Sequence, residues 1–287
     1  MEHCTDQGQP TEPHYGRFLR EADMLMPIIA QRMHLLPQNV TDWETFFEIQ
    51  TMHGVVDMLF VVPNTDALAK REAVGLPAVT DSAQVATLLG LTALGAIHGQ
   101  ACSGASAASL ASFVPVSSNH LKRRVLPELV SSGWITKLDG DTWVASYEYE
   151  TPLKQIIAVE VKRSEWRRAL SQAIPHTDFA DAAFVALDAG RLPSVTKLKP
   201  AFSYAGIGLI AVTSRADQGS YSDSPELAII IRPQYHCQSG LIRAVVAERV
   251  AALRAAGIPS GPVGHVFGRF ITTSAGSTDP RMLHSRL

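Results

Sequence analysis

The run Ile156-Ile-Ala-Val-Glu-Val-Lys162 carries two charges, Glu160 and Lys162, at the end of an apolar, β-branched stretch. Side chains two apart on a strand point to the same face. A carboxylate and an ammonium sharing one face of a mostly buried strand are costly unless they pair or bind something. Such a pair is also half of what a metal-dependent phosphodiesterase site requires; the other half is a further carboxylate. Asp57 is the only charge in Val55-Val-Asp-Met-Leu-Phe-Val-Val62, a run apolar enough to be buried on both faces. Two readings of Asp57 stand. Either it braces a neighbouring backbone or an Arg, or it serves a site.

The chain has 287 residues, 18% of them charged, and a formal net charge of −2. Any nucleic-acid contact must therefore come from a local basic patch. Cys4, Cys102 and Cys237 are scattered, which argues against a disulfide framework or a structural zinc and fits a reducing compartment. His98, His120, His176, His236 and His265 show no metal-ligand spacing. With no apolar leader and no run near the ~18 apolar residues of a membrane span, the expectation is a cytoplasmic protein without membrane contact.

The elements that must position these groups follow from pattern. Apolar spacing predicts a helix over Tyr15–Met33, with Pro27 as a kink and Glu21 on it. Residues 42–50 and 55–62 predict two strands joined by a turn at His53-Gly54. A connector with a short helix at Ala67–Ala73 follows. Ser82 to His98 predicts an amphipathic helix capped by Asp81 or Ser82. Then come a turn at 103–106, a short helix over Ala107–Phe113, a helix from Ser117 to Ser131, and a hairpin over 134–145 with Gly140 in its turn. Trp134 and Trp143 are expected to pack that hairpin. The 156–162 strand leads to a helix over Ser164–Ile174, a strand over Ala180–Leu187, a connector at 191–203 with room for a short helix before Tyr204, and a buried strand over Gly206–Val212. Strand, helix, strand is an α/β pattern. Leu227–Arg232 predicts an edge strand, and Ser239–Ala256 a strong helix ended by Gly257.

Helix, short helix, turn, capped helix and hairpin over 82–146 resembles a winged helix-turn-helix. That resemblance makes Leu110, Leu121, Val125 and Leu129 core. It puts Ser117, Ser118, Asn119, His120, Lys122, Arg123 and Arg124 on or near the helix such modules lay in the major groove of double-stranded DNA. Pro127 departs from the pattern by removing a helical hydrogen bond. The alternative is a packing or dimerisation module with a solvated basic face.

Gly54-Val-Val-Asp57, Glu160-Val-Lys162, and the helix and strands after Lys162 are similar to the PD-(D/E)xK nuclease superfamily. The resemblance covers about residues 15–62 and 153–213, and an insertion accounts for the long interval between Asp57 and Glu160. It implies an α/β (α+β) restriction-endonuclease-like fold, a mixed central sheet flanked by helices. On that reading 1–14 is a flexible tail, 15–81 and 147–258 form the discontinuous nuclease-like domain, 82–146 is the inserted winged helix, and 259–287 is a second tail. The resemblance makes Asp57, Glu160 and the carbonyl of Val161 ligands for Mg²⁺ or Mn²⁺. Lys162 would orient or deprotonate the nucleophile or stabilise negative charge. Glu21 would add a first-helix acid, with Glu48 as its rival, and Gln172 either sits where related nucleases often carry a helix Gln near the site or is a solvated helix residue. Arg163, Arg167 and Arg168 either track a phosphate backbone or form an ordinary exposed face. The expected activity is DNA phosphodiester hydrolysis. Its rival is a transcriptional regulator that keeps the fold as a non-catalytic DNA-binding or dimerisation platform, and a homodimer is compatible with either.

Overall fold

The computed structural model describes residues 17–37, 42–99, 104–214, 227–236 and 240–257. Both expected tails and Tyr15 lie outside these residues. Helix α1 (Ala22–Ala30) precedes the hairpin β1 (Glu44–Thr51) and β2 (Gly54–Pro63). Helix α2 (Thr65–Ala73) leads to a smaller module: α3 (Ser82–Ala93), β3 (Ala105–Ser106), α4 (Ala107–Leu110), α5 (Ser118–His120), α6 (Leu126–Ser131), β4 (Ile135–Leu138) and β5 (Thr142–Ala145). The chain returns through β6 (Leu153–Lys162), α7 (Trp166–Ala173), β7 (Ala182–Asp188), α8 (Val195–Ala205), β8 (Gly208–Val212), β9 (Leu227–Ile231) and α9 (Leu241–Ala255).

The large sheet has six strands in the order β1-β2-β6-β7-β8-β9. β6, β7 and β8 are parallel, and β1, β2 and β9 pair antiparallel to their neighbours. β2 and β6 are buried on both faces, as their near-continuous apolar runs require. On one face Leu170 of α7, Phe202 of α8 and Val246 of α9 pack against Leu59, Ala158 and Val185. On the other, Met24, Leu25 and Ile28 of α1 pack against Phe60, Val159, Phe184 and Ile210. Pro27 is accommodated within α1.

The smaller module has its own core, built on Leu88, Leu110, Leu121, Val125, Leu129 and Trp134. Asp81 caps α3 by accepting from the amides of Ala83 and Gln84, and Ser117 accepts from the amide of His120. Residues 118–131 run as one rod in which Leu121–Val125 winds as a π turn. Pro127, with no N–H to donate, lies just beyond that turn, where a regular ladder would miss a bond. A three-stranded sheet, β3-β5-β4, closes the module. Ala105-Ser106, expected within a turn, is its short third strand, pairing with Trp143 and Thr142. The stretch 191–203, expected as a connector with a short helix before Tyr204, contains most of the 11-residue helix α8, which runs longer than expected. Pro200 obscures its helical pattern, but burial of Leu198 and Phe202 holds it.

Helix α9 serves both cores. Val246 and Val250 face the large sheet, while Ala244 and Val245 face the smaller module. At this joint Arg71 of α2, 3% exposed, meets Glu248 of α9, fully buried. Two guanidinium nitrogens reach the carboxylate at 2.6 and 3.1 Å, and the amide of Val79 donates to it at 2.9 Å. The guanidinium also lies 4.8 Å from the Trp134 ring centroid and 5.3 Å from that of Tyr149. Trp134 is thus a joint residue, its indole N–H donating to the carbonyl of Pro77 at 3.0 Å.

Candidate functional site

The pairing of Met58 with Val159 puts Asp57 and Glu160 opposite each other one step further along β2 and β6. Asp57 Oδ2 accepts the amide of Val161 at 2.8 Å. It is therefore a backbone brace and also a member of a charged cluster. Lys162 Nζ lies 2.8 Å from Glu160 Oε1, 3.4 Å from Asp57 Oδ2 and 3.9 Å from Glu21 Oε2. It also donates to the carbonyl of Val161 at 3.2 Å. Four residues expected at the site, from the start of α1, β2 and the end of β6, thus converge. Glu160 and Lys162 share a face, as strand alternation requires.

Burial, then the Asp57 charge, pushes the Glu160 carboxyl up to about 7. Burial likewise raises Asp57, with Lys162 and the Val161 amide opposing it. For Lys162 burial works downward, but Asp57, Glu160 and Glu21 outweigh it and the net shift is upward. These are the shifts expected of two carboxylates that cannot both ionise freely around one ammonium.

Among the described residues no three His, Cys, Asp or Glu side chains form a metal-binding group. Two carboxylates and the Val161 carbonyl do adjoin, and Glu160 Oε2 is buried with no hydrogen-bond partner among the described residues. Hard oxygen donors, one of them unpartnered, fit a cation such as Mg²⁺ that retains several waters.

The other expected residues differ in their relation to the cluster. Gln172 is exposed on α7 and makes no hydrogen bond to it among the described residues. Glu48 has a left-handed backbone (φ 49°) in β1, at the level of Asp57, between the pairs Phe47–Met58 and Ile49–Val56. Arg167 stacks 4.5 Å above the Trp166 ring, and Arg168 pairs with Glu165 at 3.3 Å. Arg163 is engaged: its guanidinium donates to the carbonyl of Leu19 at 2.7 Å. In the smaller module Ser117, Ser118, Asn119, His120, Lys122, Arg123 and Arg124 are all exposed. Lys122 pairs with Asp141 of the β4–β5 turn at 2.8 Å and Arg124 with Glu128 at 3.3 Å. Arg123 makes no ion pair among the described residues.

Sequence reading missed Asp188. It ends β7 fully buried, and its carboxylate accepts the amides of Phe18 and Gly190, each at 3.0 Å. The signal was present, since Asp188 is the one charge closing the apolar run Ala182–Leu187, just as Asp57 interrupts its own.

No family model, curated protein or solved structure matches this chain.

Proposed function

We propose that the protein is a Mg²⁺- or Mn²⁺-dependent DNA endonuclease of the PD-(D/E)xK type, with residues 82–146 acting as a winged helix that holds the duplex. The observation that carries this reading is the convergence of Glu21, Asp57, Glu160 and Lys162 at the end of β6. The mixed sheet, with its antiparallel β1-β2-β6 side followed by parallel β7 and β8, supports the restriction-endonuclease-like assignment. Asp57, Glu160 and the Val161 carbonyl would hold the cation, which when bound neutralises the scissile phosphate and acidifies a water. Lys162 is held protonated by three acids, so its part is to stabilise developing negative charge and orient the attacking water, not to remove a proton. Glu21 keeps that ammonium over the site.

Plasmid incubated with Mg²⁺ or Mn²⁺ should be cut by the native protein, and Lys162→Ala and Asp57→Ala should each reduce cutting at least about 100-fold, as loss of one preorganised electrostatic group does. Full binding without cutting by the native protein would sink the enzyme reading.

A second reading, a regulator with a silent site, draws on one observation. The Lys162 ammonium already sits against the carboxylates that a cation would need. For the module, Arg123→Ala should weaken duplex binding and lower its salt slope by about 1, more than Arg124→Ala, whose side chain is already paired. Anisotropy titrations at several salt concentrations measure this. An unaltered slope for Arg123→Ala assigns the module to packing.

A further inference from the structure

We propose that Arg163 and Asp188 are positioning residues that clip the segment before α1 to the ends of β6 and β7, and so deliver Glu21 to Lys162. The clip has three contacts. Asp188 Oδ2 accepts the amide of Phe18 at 3.0 Å. The Arg163 guanidinium donates to the carbonyl of Leu19 at 2.7 Å. The Arg163 amide donates to Glu21 Oε1 at 3.4 Å, which leaves Oε2 of the same carboxylate 3.9 Å from Lys162 Nζ.

Burial of Phe18 anchors one end of the segment, but Leu19, between the clips, is 83% exposed. Glu21 itself makes no cap bond among the described residues, and Asp23 Oδ2 accepts the Arg20 amide at 3.1 Å. Asp188 can hold its end because it is itself fixed. It is fully buried, binds the Gly190 amide at 3.0 Å, and has Arg191 Nε at 3.5 Å from Oδ2. Lys162 pairs with Leu187 across β6 and β7, so the next residue, Asp188, stands beside the end of the strand that carries the site. Arg163, adjacent to Lys162, thus serves the architecture of the pocket and not a phosphate. A carboxylate set at ion-pair range of a catalytic ammonium, here 3.9 Å, loses much of its effect when displaced further by about 1 Å, so the clip should act on turnover.

This inference rests on the nuclease reading, and the test separates the two. Plasmid cleavage is measured in Mn²⁺ for Glu21→Gln, Arg163→Ala, Asp188→Ala and the double variant Arg163→Ala/Glu21→Gln. Arg163→Ala should lower kcat about as much as Glu21→Gln with KM unchanged, and the double variant should be no slower than Glu21→Gln alone, because both changes remove one unit. A raised KM with kcat intact makes Arg163 a phosphate contact and overturns the proposal, as do losses that multiply in the double variant. Amide hydrogen exchange read by NMR in the metal-free protein needs no activity. The amide at 163 should exchange at least tenfold faster in Asp188→Ala, where Glu21 has moved off it. Arg163→Ala, whose side chain lies at the surface, should release the Glu21 bond in the same way and covers the case in which Asp188→Ala does not fold. Native-like protection of that amide in a folded variant overturns the clip even if the protein cuts DNA. A native protein that does not cut, with exchange behaving as expected, removes the nuclease reading and leaves the clip.

Discussion

Glu248→Ala is expected to cost about 3–5 kcal/mol of stability, since it strands a buried guanidinium. For a chain of this size that lowers the melting temperature by roughly 10 °C. Among the described residues Arg71 would keep the carbonyl of Glu150, at 3.0 Å, and the rings of Trp134 and Tyr149. The Val79 amide would lose its acceptor as well. Glu248→Gln keeps an acceptor in place and should cost less. Replacing both partners by Met should recover most of the loss, because a buried ion pair is worth little against apolar residues of similar volume. Urea unfolding of the four proteins measures the series. A Glu248→Ala cost under about 1 kcal/mol, the range of an exposed pair, would mean that water reaches Arg71 and that the joint is not sealed. The site matters because α9 contributes to both the large-sheet core and the core of the smaller module.

The second large effect is a dependence of stability on pH. The Glu160 carboxyl, ordinarily at 4.5, is pushed up to about 7 by burial and by Asp57. The folded protein therefore holds a proton that the unfolded chain has released between those values. That stabilisation is full below about pH 4.5, declines as pH rises and is gone above about 7, an upper bound of about 3 kcal/mol for the coupled pair. His176 works in the opposite sense. Burial lowers it from 6.5 to about 4, so its contribution is present above 6.5 and is lost as pH falls toward 4. The two partly cancel in the native protein, and the informative quantity is the difference between native and Glu160→Gln. In EDTA the two should be of similar stability at pH 4.5, and Glu160→Gln should become the more stable above pH 7. Adding Mg²⁺ at pH 8 should then stabilise the native protein and not Glu160→Gln. A constant difference from pH 4.5 to 8 would contradict the burial argument.

Asp57, Glu160 and Lys162 were legible because an ionised group inside an apolar strand is conspicuous: each breaks a run in which every other residue is aliphatic or aromatic. The same logic reaches Asp188, but only if the strand is extended one residue past Leu187. Glu21 carries no such mark. It stands among Arg20, Ala22 and Asp23 as an ordinary helix-start acid, and it joins the site because residues 18–21 lie against the ends of β6 and β7. Arg71 and Glu248 were invisible for a related reason. Arg71 sits beside Lys70 and Glu72, and Glu248 beside Arg249, so both resemble solvated helix charges. Only their meeting across 177 positions of sequence makes them a buried pair.

The basic stretch Lys122-Arg-Arg124 shows the limit from the other side. Its charges are plain in the sequence, but among the described residues Arg123 has no ion pair, while Lys122 and Arg124 are committed to Asp141 and Glu128. By itself the sequence determined the alternation of strands and helices, the two apolar strands and the three charges that interrupt them. Those follow from local periodicity and from the cost of burying charge, which act residue by residue. The tertiary structure alone decided that Glu21 reaches Lys162, how it is held there and how α9 joins the two cores. These depend on side chains brought within about 3–4 Å from distant positions, a range at which electrostatics and hydrogen bonding act and which local pattern does not encode.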